Sequence, residues 1–306
     1  MRIGIGITAW RRPEYFTRVI DRLARNNGVE DCECFVSVDG GYPDAQEAID
    51  KLFRSSGIAG EIVLQEENLG CTDNTGLVFR TLFDNGADAV VMLEDDTVPA
   101  VDFLHYMRTM LERFRDDERI FSVSGHHRRV HRRDPAAPKA VEVCDGGDGW
   151  TRVSINLLEH MFPVEPASVG KGRGDAAFFR EGFDCLGWGT WRRIFEEIGP
   201  GWFGVLGARL RELPEGEAFL DHVTVASKGT WDFPMDKYWR RGRLEVAPDL
   251  SRICNIGEHG GMYNPDPEWH RRNVRTEIWM DGDEGYFGSF ELIPGPSSPA
   301  DSDITS

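Results

Sequence analysis

The chain has 306 residues, a formal net charge of −17, 40% hydrophobic residues and 28% charged residues. This length suits one large domain or two small ones, and the composition argues against a disordered or fibrous protein. The negative charge argues against a nucleic-acid partner, because duplex binding depends on Lys and Arg side chains that neutralise phosphates. There is no signal-peptide pattern and no apolar run of the ~20 residues that a membrane span needs, so we expect no membrane span and a cytoplasmic location.

Strand-like and helix-like patterns alternate over roughly the first 120 residues, which predicts a parallel sheet with crossover helices. The predicted strands lie at residues 3–9, 34–38, 61–65, 89–93 and 120–123. Apolar residues recur at helical spacing within the segments 15–23, 45–52, 77–82 and 103–114. This part of the chain therefore resembles a nucleotide-binding α/β unit.

The fourth predicted strand, at 89–93, is apolar at every position, which predicts burial on both faces. It ends abruptly in Glu94, Asp95 and Asp96. Three adjacent carboxylates repel each other unless a cation stabilises them, so the run predicts a bound Mn²⁺ or Mg²⁺. The alternative is a polar strand end whose acidic residues favour the N-terminus of the next helix.

Arg11 and Asp39 follow the first and second predicted strands. Ligands of open α/β sheets bind beyond the carboxyl ends of the strands, so these two residues should share a crevice with the acidic run. Such a crevice suits a nucleotide diphosphate, with Asp39 accepting hydrogen bonds from base or ribose and Arg11 meeting a phosphate oxygen. For Arg11, a solvated surface position is an equally open alternative.

The acidic strand end, followed by Val98-Pro99-Ala100, resembles the metal-binding DxD-type segment of GT-A glycosyltransferases. Its form is most similar to the EDD version in enzymes of the N-acetylglucosaminyltransferase I type. Further segments resemble that family in the same order. Residues 7–11 resemble its first strand with the arginine, and residues 36–40 the strand with the nucleotide-contacting aspartate. Residues 186–188 resemble a Leu-Gly-Trp turn, residues 231–232 the catalytic-aspartate segment, and residues 240–243 and 248–252 the Arg-rich run after it.

This resemblance implies an α/β fold of the GT-A kind, in which a Rossmann-like nucleotide-binding half with a mixed central sheet is fused to an acceptor-binding half. It implies Asp96 as the direct metal ligand, Glu94 and Asp95 as residues that position nucleotide or donor sugar, and Asp232 as the general base. The implied activity is metal-dependent, inverting transfer of a sugar from a UDP-linked donor, UDP-GlcNAc first, to a hydroxyl of a carbohydrate or small-molecule acceptor.

Two further residues are candidates for donor binding. Trp188 offers an amphipathic ring that suits a sugar-binding cleft, with core packing as the alternative. His259 lies in a glycine-rich stretch that suits a loop closing over the donor, with an ordinary surface histidine as the alternative. For Asp232 there are two alternatives, namely that the neighbouring Asp236 is the base instead, or that Asp232 is a helix cap.

The predicted organisation has four parts. Residues 1–125 form the nucleotide-sugar-binding half, 126–177 an irregular insertion or loops, 178–290 the acceptor-binding and catalytic half, and 291–306 a disordered tail. Two rival functions are a sugar nucleotidylyltransferase and a non-catalytic nucleotide-sugar- or carbohydrate-binding protein. The first is disfavoured because residues 9–13 contain no glycine to cradle a triphosphate. The second would not require Asp232.

Overall fold

The computed structural model describes residues 1–127, 143–145, 151–153, 175–202, 231–232, 235–259, 270 and 286–293. The strands are, in chain order, β1 (Ile3–Ala9), β2 (Glu33–Val38), β3 (Gly60–Leu64), β4 (Ala89–Glu94), β5 (Thr97–Pro99), β6 (Ile120–Ser124), β7 (Val143–Asp145), β8 (Thr151–Val153), β9 (Ala176–Arg180), β10 (Trp188–Trp191), β11 (Leu244–Pro248), β12 (Ile253–Asn255) and β13 (Glu291–Leu292). The α-helices are α1 (Pro13–Leu23), α2 (Pro43–Ser55), α3 (Gly70–Asp84), α4 (Phe103–Arg113) and α5 (Arg192–Trp202).

Nine strands form one mixed sheet in the order β13-β9-β11-β6-β10-β4-β1-β2-β3. The strands β4, β1, β2 and β3 are all parallel, as the alternating strand and helix patterns predicted. The strand β10 then runs antiparallel between β4 and β6, which makes the sheet mixed. The predicted α/β fold class with a mixed central sheet is therefore confirmed.

The centre of the sheet is buried on both faces. Every residue from Ala89 to Leu93 in β4 is at most 1% exposed, as its uninterrupted apolar run predicted. The helix α3 contacts β1, β2 and β4, while α4 contacts β6 and β10. This packing fixes where the acidic end of β4 emerges from the core.

The connection from β1 to α1 is short. The helix begins at Pro13, where the missing N–H has no intrahelical partner to lose. Its buried residues recur at helical spacing, so the helix lies firmly on the core: Phe16, Val19, Ile20 and Leu23. Only residues 10–12 therefore separate the end of β1 from the start of a fixed helix.

A small second sheet brings a distant segment to the same edge. The strands β5 and β12 pair antiparallel, with Asn255 opposite Thr97 and Ile253 opposite Pro99. The Ile256 N–H then donates to the carbonyl oxygen of Asp96 at 2.8 Å. Residues that follow β12 consequently cross over the acidic end of β4.

Parts of the predicted insertion and tail have regular structure. The strands β7 and β8 pair antiparallel within the segment 126–177. The strand β13 pairs parallel with β9, so the first residues of the segment 291–306 belong to the sheet rather than to a disordered tail. Their backbone pairing explains this, since the Ile293 N–H donates to the Ala177 carbonyl at 2.9 Å. Residues 294–306 lie outside the described residues. Within the described part of the chain, no helix has the length and apolar character to cross a bilayer.

Candidate active site

The carboxyl ends of β1, β2 and β4 meet at one edge of the sheet. Thr8 is the register partner of Glu94, and Ala9 is the register partner of Val38. The residues that follow these strands therefore lie side by side, as their order in the sequence predicted.

An arginine that the sequence analysis did not select lies among the carboxylates. The Nη2 of Arg12 contacts Asp95 Oδ1 and lies 2.9 Å from Asp96 Oδ2. The three side chains are largely buried, at 14% exposed for Arg12, 5% for Asp95 and 7% for Asp96. The backbone N–H of Trp10 also donates to Asp95 Oδ2 at 3.2 Å. Asp95 and Asp96 are thus held by one guanidinium.

Arg11 occupies a different environment from its neighbour. Its side chain is exposed, and its Cζ lies 4.3 Å from the centroid of the Trp10 ring. Its Nη1 donates to the Tyr42 hydroxyl at 3.3 Å. The structure therefore brings Arg12, rather than Arg11, to the acidic end of β4.

Asp39 is buried and shapes a loop through its carboxylate. Its Oδ1 accepts hydrogen bonds from the N–H of Gly40 at 3.0 Å and of Leu69 at 2.6 Å. Its Oδ2 accepts from the N–H of Gly70 at 3.0 Å, where α3 begins. Asp39 therefore holds the loop before α3 against the end of β2.

Asp96 is held from a second side by residues after β12. Its Oδ1 accepts a hydrogen bond from Asn255 Nδ2 at 3.1 Å. The backbone of Gly257 passes so close that a Cβ there would lie 2.1 Å from Asp96 Oδ2. Only glycine fits this approach. Asn255 and Gly257 are functional candidates that sequence reasoning missed, because nothing in their local pattern links them to β4.

The buried charges perturb each other. Burial and then the charges of Asp96 and Asp95 raise the pKa of Glu94 above its ordinary value. Burial also raises the pKa of Asp95, against the attraction of Arg12. Burial lowers the pKa of Arg12, but the attraction of Asp96 and Asp95 outweighs it and the net shift is upward. The charged forms of Glu94 and Asp95 are therefore disfavoured in the buried site, and a bound cation would favour them.

Asp232 belongs to the same electrostatic group. It is partly buried and follows Trp231, which is 4% exposed. Its negative charge contributes to the raised pKa of Glu94 and to that of Cys71 near the start of α3. Although more than a hundred residues separate them in the sequence, Asp232 is near enough to Glu94 for its charge to act there.

The two remaining candidates differ in placement. Trp188 is 0% exposed and stacks on Trp231, with ring centroids 5.6 Å apart, so it lies in the core rather than in the wall of a cleft. Its position in β10, between β4 and β6, accounts for this burial. His259 is exposed, and its backbone N–H donates to the Tyr15 hydroxyl at 3.1 Å. The Tyr15 ring in turn lies 5.3 Å from Arg12 Cζ, so His259 stands at the rim of the site.

The donor chemistry of the site fits a divalent cation. Carboxylate oxygens are the ligands that Mg²⁺ and Mn²⁺ prefer, and Glu94 and Asp96 offer them in a region of excess negative charge. Among the described residues, no three side chains of His, Cys, Asp or Glu form a preassembled metal cage. Such a cage is not required, because ions of this kind are held by one or two carboxylates together with substrate phosphates.

No family model and no curated protein matches the chain. Solved structures to which part of this chain is similar include S. aureus TarS 1-349 (13% identity, TM-score 0.34), a mannosyltransferase from Pyrobaculum calidifontis (13%, 0.40) and glucosyl-3-phosphoglycerate synthase from Mycobacterium tuberculosis (16%, 0.37). The matches cover 40%, 65% and 64% of this chain and 35%, 46% and 58% of those chains. Likenesses this distant assign no function, so the functional proposal rests on the geometry of the site.

Proposed function

We propose that the chain is a metal-dependent glycosyltransferase that moves a sugar from a nucleoside diphosphate donor to an acceptor hydroxyl. The observation that supports this most directly is the convergence of Glu94, Asp95 and Asp96 with Arg12 and Asp232 at one edge of the sheet. Such a group can bind a diphosphate through a cation and an arginine, and can accept a proton from a hydroxyl.

Asp96 would hold the Mn²⁺ or Mg²⁺, and Glu94 and Asp95 would position the nucleotide or donor sugar. When bound, the cation would neutralise charge that develops on the leaving diphosphate. The Nη1 of Arg12 is buried and has no hydrogen-bond partner among the described residues, so it is available to donate to a phosphate oxygen. Arg11 remains a second candidate for donating to a phosphate oxygen. The hydrogen bond from Arg12 to Asp95 holds the Arg12 guanidinium at the end of β4.

Asp232 is proposed as the general base. It accepts the proton of the acceptor hydroxyl as the new glycosidic bond forms and the bond to the diphosphate breaks. A single displacement of this kind inverts the anomeric carbon. Detection of a covalent glycosyl-enzyme adduct would contradict this mechanism.

The proposed donor is UDP-linked, with UDP-GlcNAc first, because that is what the resemblance of the acidic strand end implies. The proposed acceptor is a carbohydrate or a small molecule. His259 at the rim is proposed to contact the donor. Because Trp188 is fully buried, we propose that it supports the site indirectly, by packing on Trp231.

Turnover of a panel of nucleotide sugars with Mn²⁺ tests the function. The panel includes GDP-linked donors as well, since the Pyrobaculum calidifontis enzyme was solved with GDP-Man and Mn²⁺. We expect Asp232→Asn to lower kcat about 10²- to 10⁴-fold while nucleotide binding persists. Asp236→Asn tests the competing carboxylate, and we expect it to keep turnover because Asp236 is paired with Arg240 at 3.3 Å. Full turnover by Asp232→Asn would exclude Asp232 as the general base. A wild type that binds nucleotide but turns over no donor would favour the non-catalytic binding protein.

A further inference from the structure

A chain of hydrogen bonds runs from Asp96 through Asn255 to His270. Asn255 Nδ2 donates to Asp96 Oδ1 at 3.1 Å, and His270 Nε2 lies 2.7 Å from Asn255 Oδ1. Asn255 is 6% exposed and His270 is 0% exposed. We propose that Asn255 and His270 are positioning residues that hold the Asp96 carboxylate in place for a cation-bound diphosphate. This inference rests on the function proposed for Asp96.

Two contacts fix the direction in which the Asn255 amide faces. The Gly257 N–H donates to Asn255 Oδ1 at 2.9 Å, and the Asp96 carboxylate accepts on the other side. A flipped amide would set its oxygen against a carboxylate and its NH₂ group against the Gly257 N–H. Because Oδ1 is therefore an acceptor, the Nε2 of His270 must carry a proton.

The two oxygens of Asp96 consequently differ in their partners. Its Oδ1 is held by the uncharged amide of Asn255, whereas its Oδ2 lies 2.9 Å from the charged Nη2 of Arg12. A neutral donor fixes the carboxylate without cancelling its charge. Asp96 thus has, in Asn255, an orienting partner that is not shared with a phosphate.

His270 acts through Asn255 rather than on the substrate. Its Nε2–H occupies one lone-pair direction of Asn255 Oδ1, and the Gly257 N–H occupies another. Without His270 the amide would lose one of the contacts that prevent rotation. Groups that orient a ligating side chain in this way affect metal affinity about 10- to 100-fold in known metal sites.

The proton on His270 can be observed directly. Long-range ¹H–¹⁵N spectra of the full chain, with His270 assigned by comparison with His270→Gln, report which ring nitrogen is protonated. We expect a proton on Nε2. A ring with Nε2 unprotonated and the proton on Nδ1 would overturn the proposed chain of hydrogen bonds, whether or not the protein transfers sugars.

Mn²⁺ binding tests the positioning role. With UDP present, the Kd for Mn²⁺ measured from the spin-resonance signal of the free ion should rise about 10-fold in Asn255→Ala, and by a smaller factor in His270→Phe. His270→Gln keeps an N–H donor and should stay within about threefold of the wild type. His105→Phe is the matched control, because His105 lies on α4, bonds the Gly288 carbonyl and should leave the Kd unchanged.

The outcomes separate the two proposals. If the wild type binds Mn²⁺ and a folded His270→Phe variant binds it with the same Kd, the positioning role alone is overturned. Equal losses in His270→Phe and His270→Gln would overturn it too, because the donor N–H would then be irrelevant. A wild type that binds no Mn²⁺ with either UDP or GDP would overturn the proposed function and the positioning role together.

Discussion

The acidic end of β4 carries more negative charge than Arg12 neutralises. Glu94, Asp95 and Asp96 lie together, and the charge of Asp232 reaches Glu94. Removing one partner of a buried ion pair leaves an uncompensated charge, which is far more costly than loss of a surface pair. The stability of this edge of the sheet should therefore depend on Arg12.

Neighbouring arginines allow a matched test of this dependence. We expect Arg12→Met to lower the free energy of unfolding by about 3 kcal/mol, because Asp95 and Asp96 lose their shared cation. Arg11→Met should lower it by less than about 1 kcal/mol, since the lost contacts with Trp10 and Tyr42 are exposed. Urea denaturation measures both. Equal effects would contradict the placement of Arg12 among the carboxylates.

At this scale the sequence predicted the carboxylates but not their partners. The abrupt end of an apolar strand located Glu94 to Asp96. Arg11 and Arg12 both follow β1, and a one-residue difference in where the backbone turns toward α1 decides which one faces inward. Asn255 and His270 left no local signal, because Asn255 reaches Asp96 through the pairing of β12 with β5, and His270 is linked to Asp96 through Asn255.

The turn into β10 lies beside the acidic end of β4, because Trp188 is the register partner of Met92. Gly187 has φ of +59°, and a Cβ there would lie 2.3 Å from Ile253 Cγ1 in β12. Its carbonyl accepts a hydrogen bond from the Gly125 N–H at 2.7 Å. This turn therefore joins β6, β10 and β12 beside the acidic end of β4, and it has no room for a side chain.

We expect Gly187→Ala to destabilise the protein by about 3 kcal/mol, from left-handed backbone strain together with the steric clash. Gly57→Ala is the control, because Gly57 has φ of +78° but no atom within 4 Å of the place that a Cβ would take. It should lose only about 1 kcal/mol. Chemical denaturation of both variants measures the difference, and equal losses would show that the contact with Ile253 is not limiting.

Predictability also differed between elements. The parallel strands and their helices followed from local periodicity, since each pattern reflects burial against its nearest neighbours. The insertion of β10 between β4 and β6 did not, because strand order depends on contacts between residues far apart in the sequence. Trp188 is an example. Its sequence context suggested a sugar-binding cleft, but the pairing of β10 with β4 and β6 buries its side chain completely.

Across the whole molecule, one sheet joins the two predicted halves. The strands β9 and β11 from the second half continue the sheet that β1 to β4 begin, so the proposed donor and acceptor sides share one core. A further group of buried ionisable residues lies where these strands meet: His126, Asp184, Arg180 and Glu245. We therefore expect the pH dependence of global stability to report on this junction.

The pKa of His127 sets the direction in which stability changes with pH. Burial, then the charges of Arg180 and His126, lower its pKa to about 4, although the Asp249 carbonyl opposes the shift. The fold therefore favours neutral His127, and this stability is present above pH ~6.5 and is lost as the pH falls toward 4. In His127→Gln, the loss of unfolding free energy between pH ~6.5 and pH 4 should be smaller than in the wild type, by at most about 3 kcal/mol. An unchanged slope in denaturation measurements between pH 7 and pH 4 would contradict this.

If a cation joins the carboxylates at the end of β4 to a nucleoside diphosphate, nucleotide binding must depend on that cation. Thermal unfolding of the wild type and of Asp96→Asn, titrated with UDP and GDP in the presence and absence of Mn²⁺, measures this dependence. We predict that one nucleotide raises the Tm of the wild type only when Mn²⁺ is present, since a ligand that binds the folded state stabilises it by mass action. Asp96→Asn should lose that rise. A Tm that responds to no nucleotide, or an Asp96→Asn variant that responds like the wild type, would contradict a cation held by Asp96 at this site.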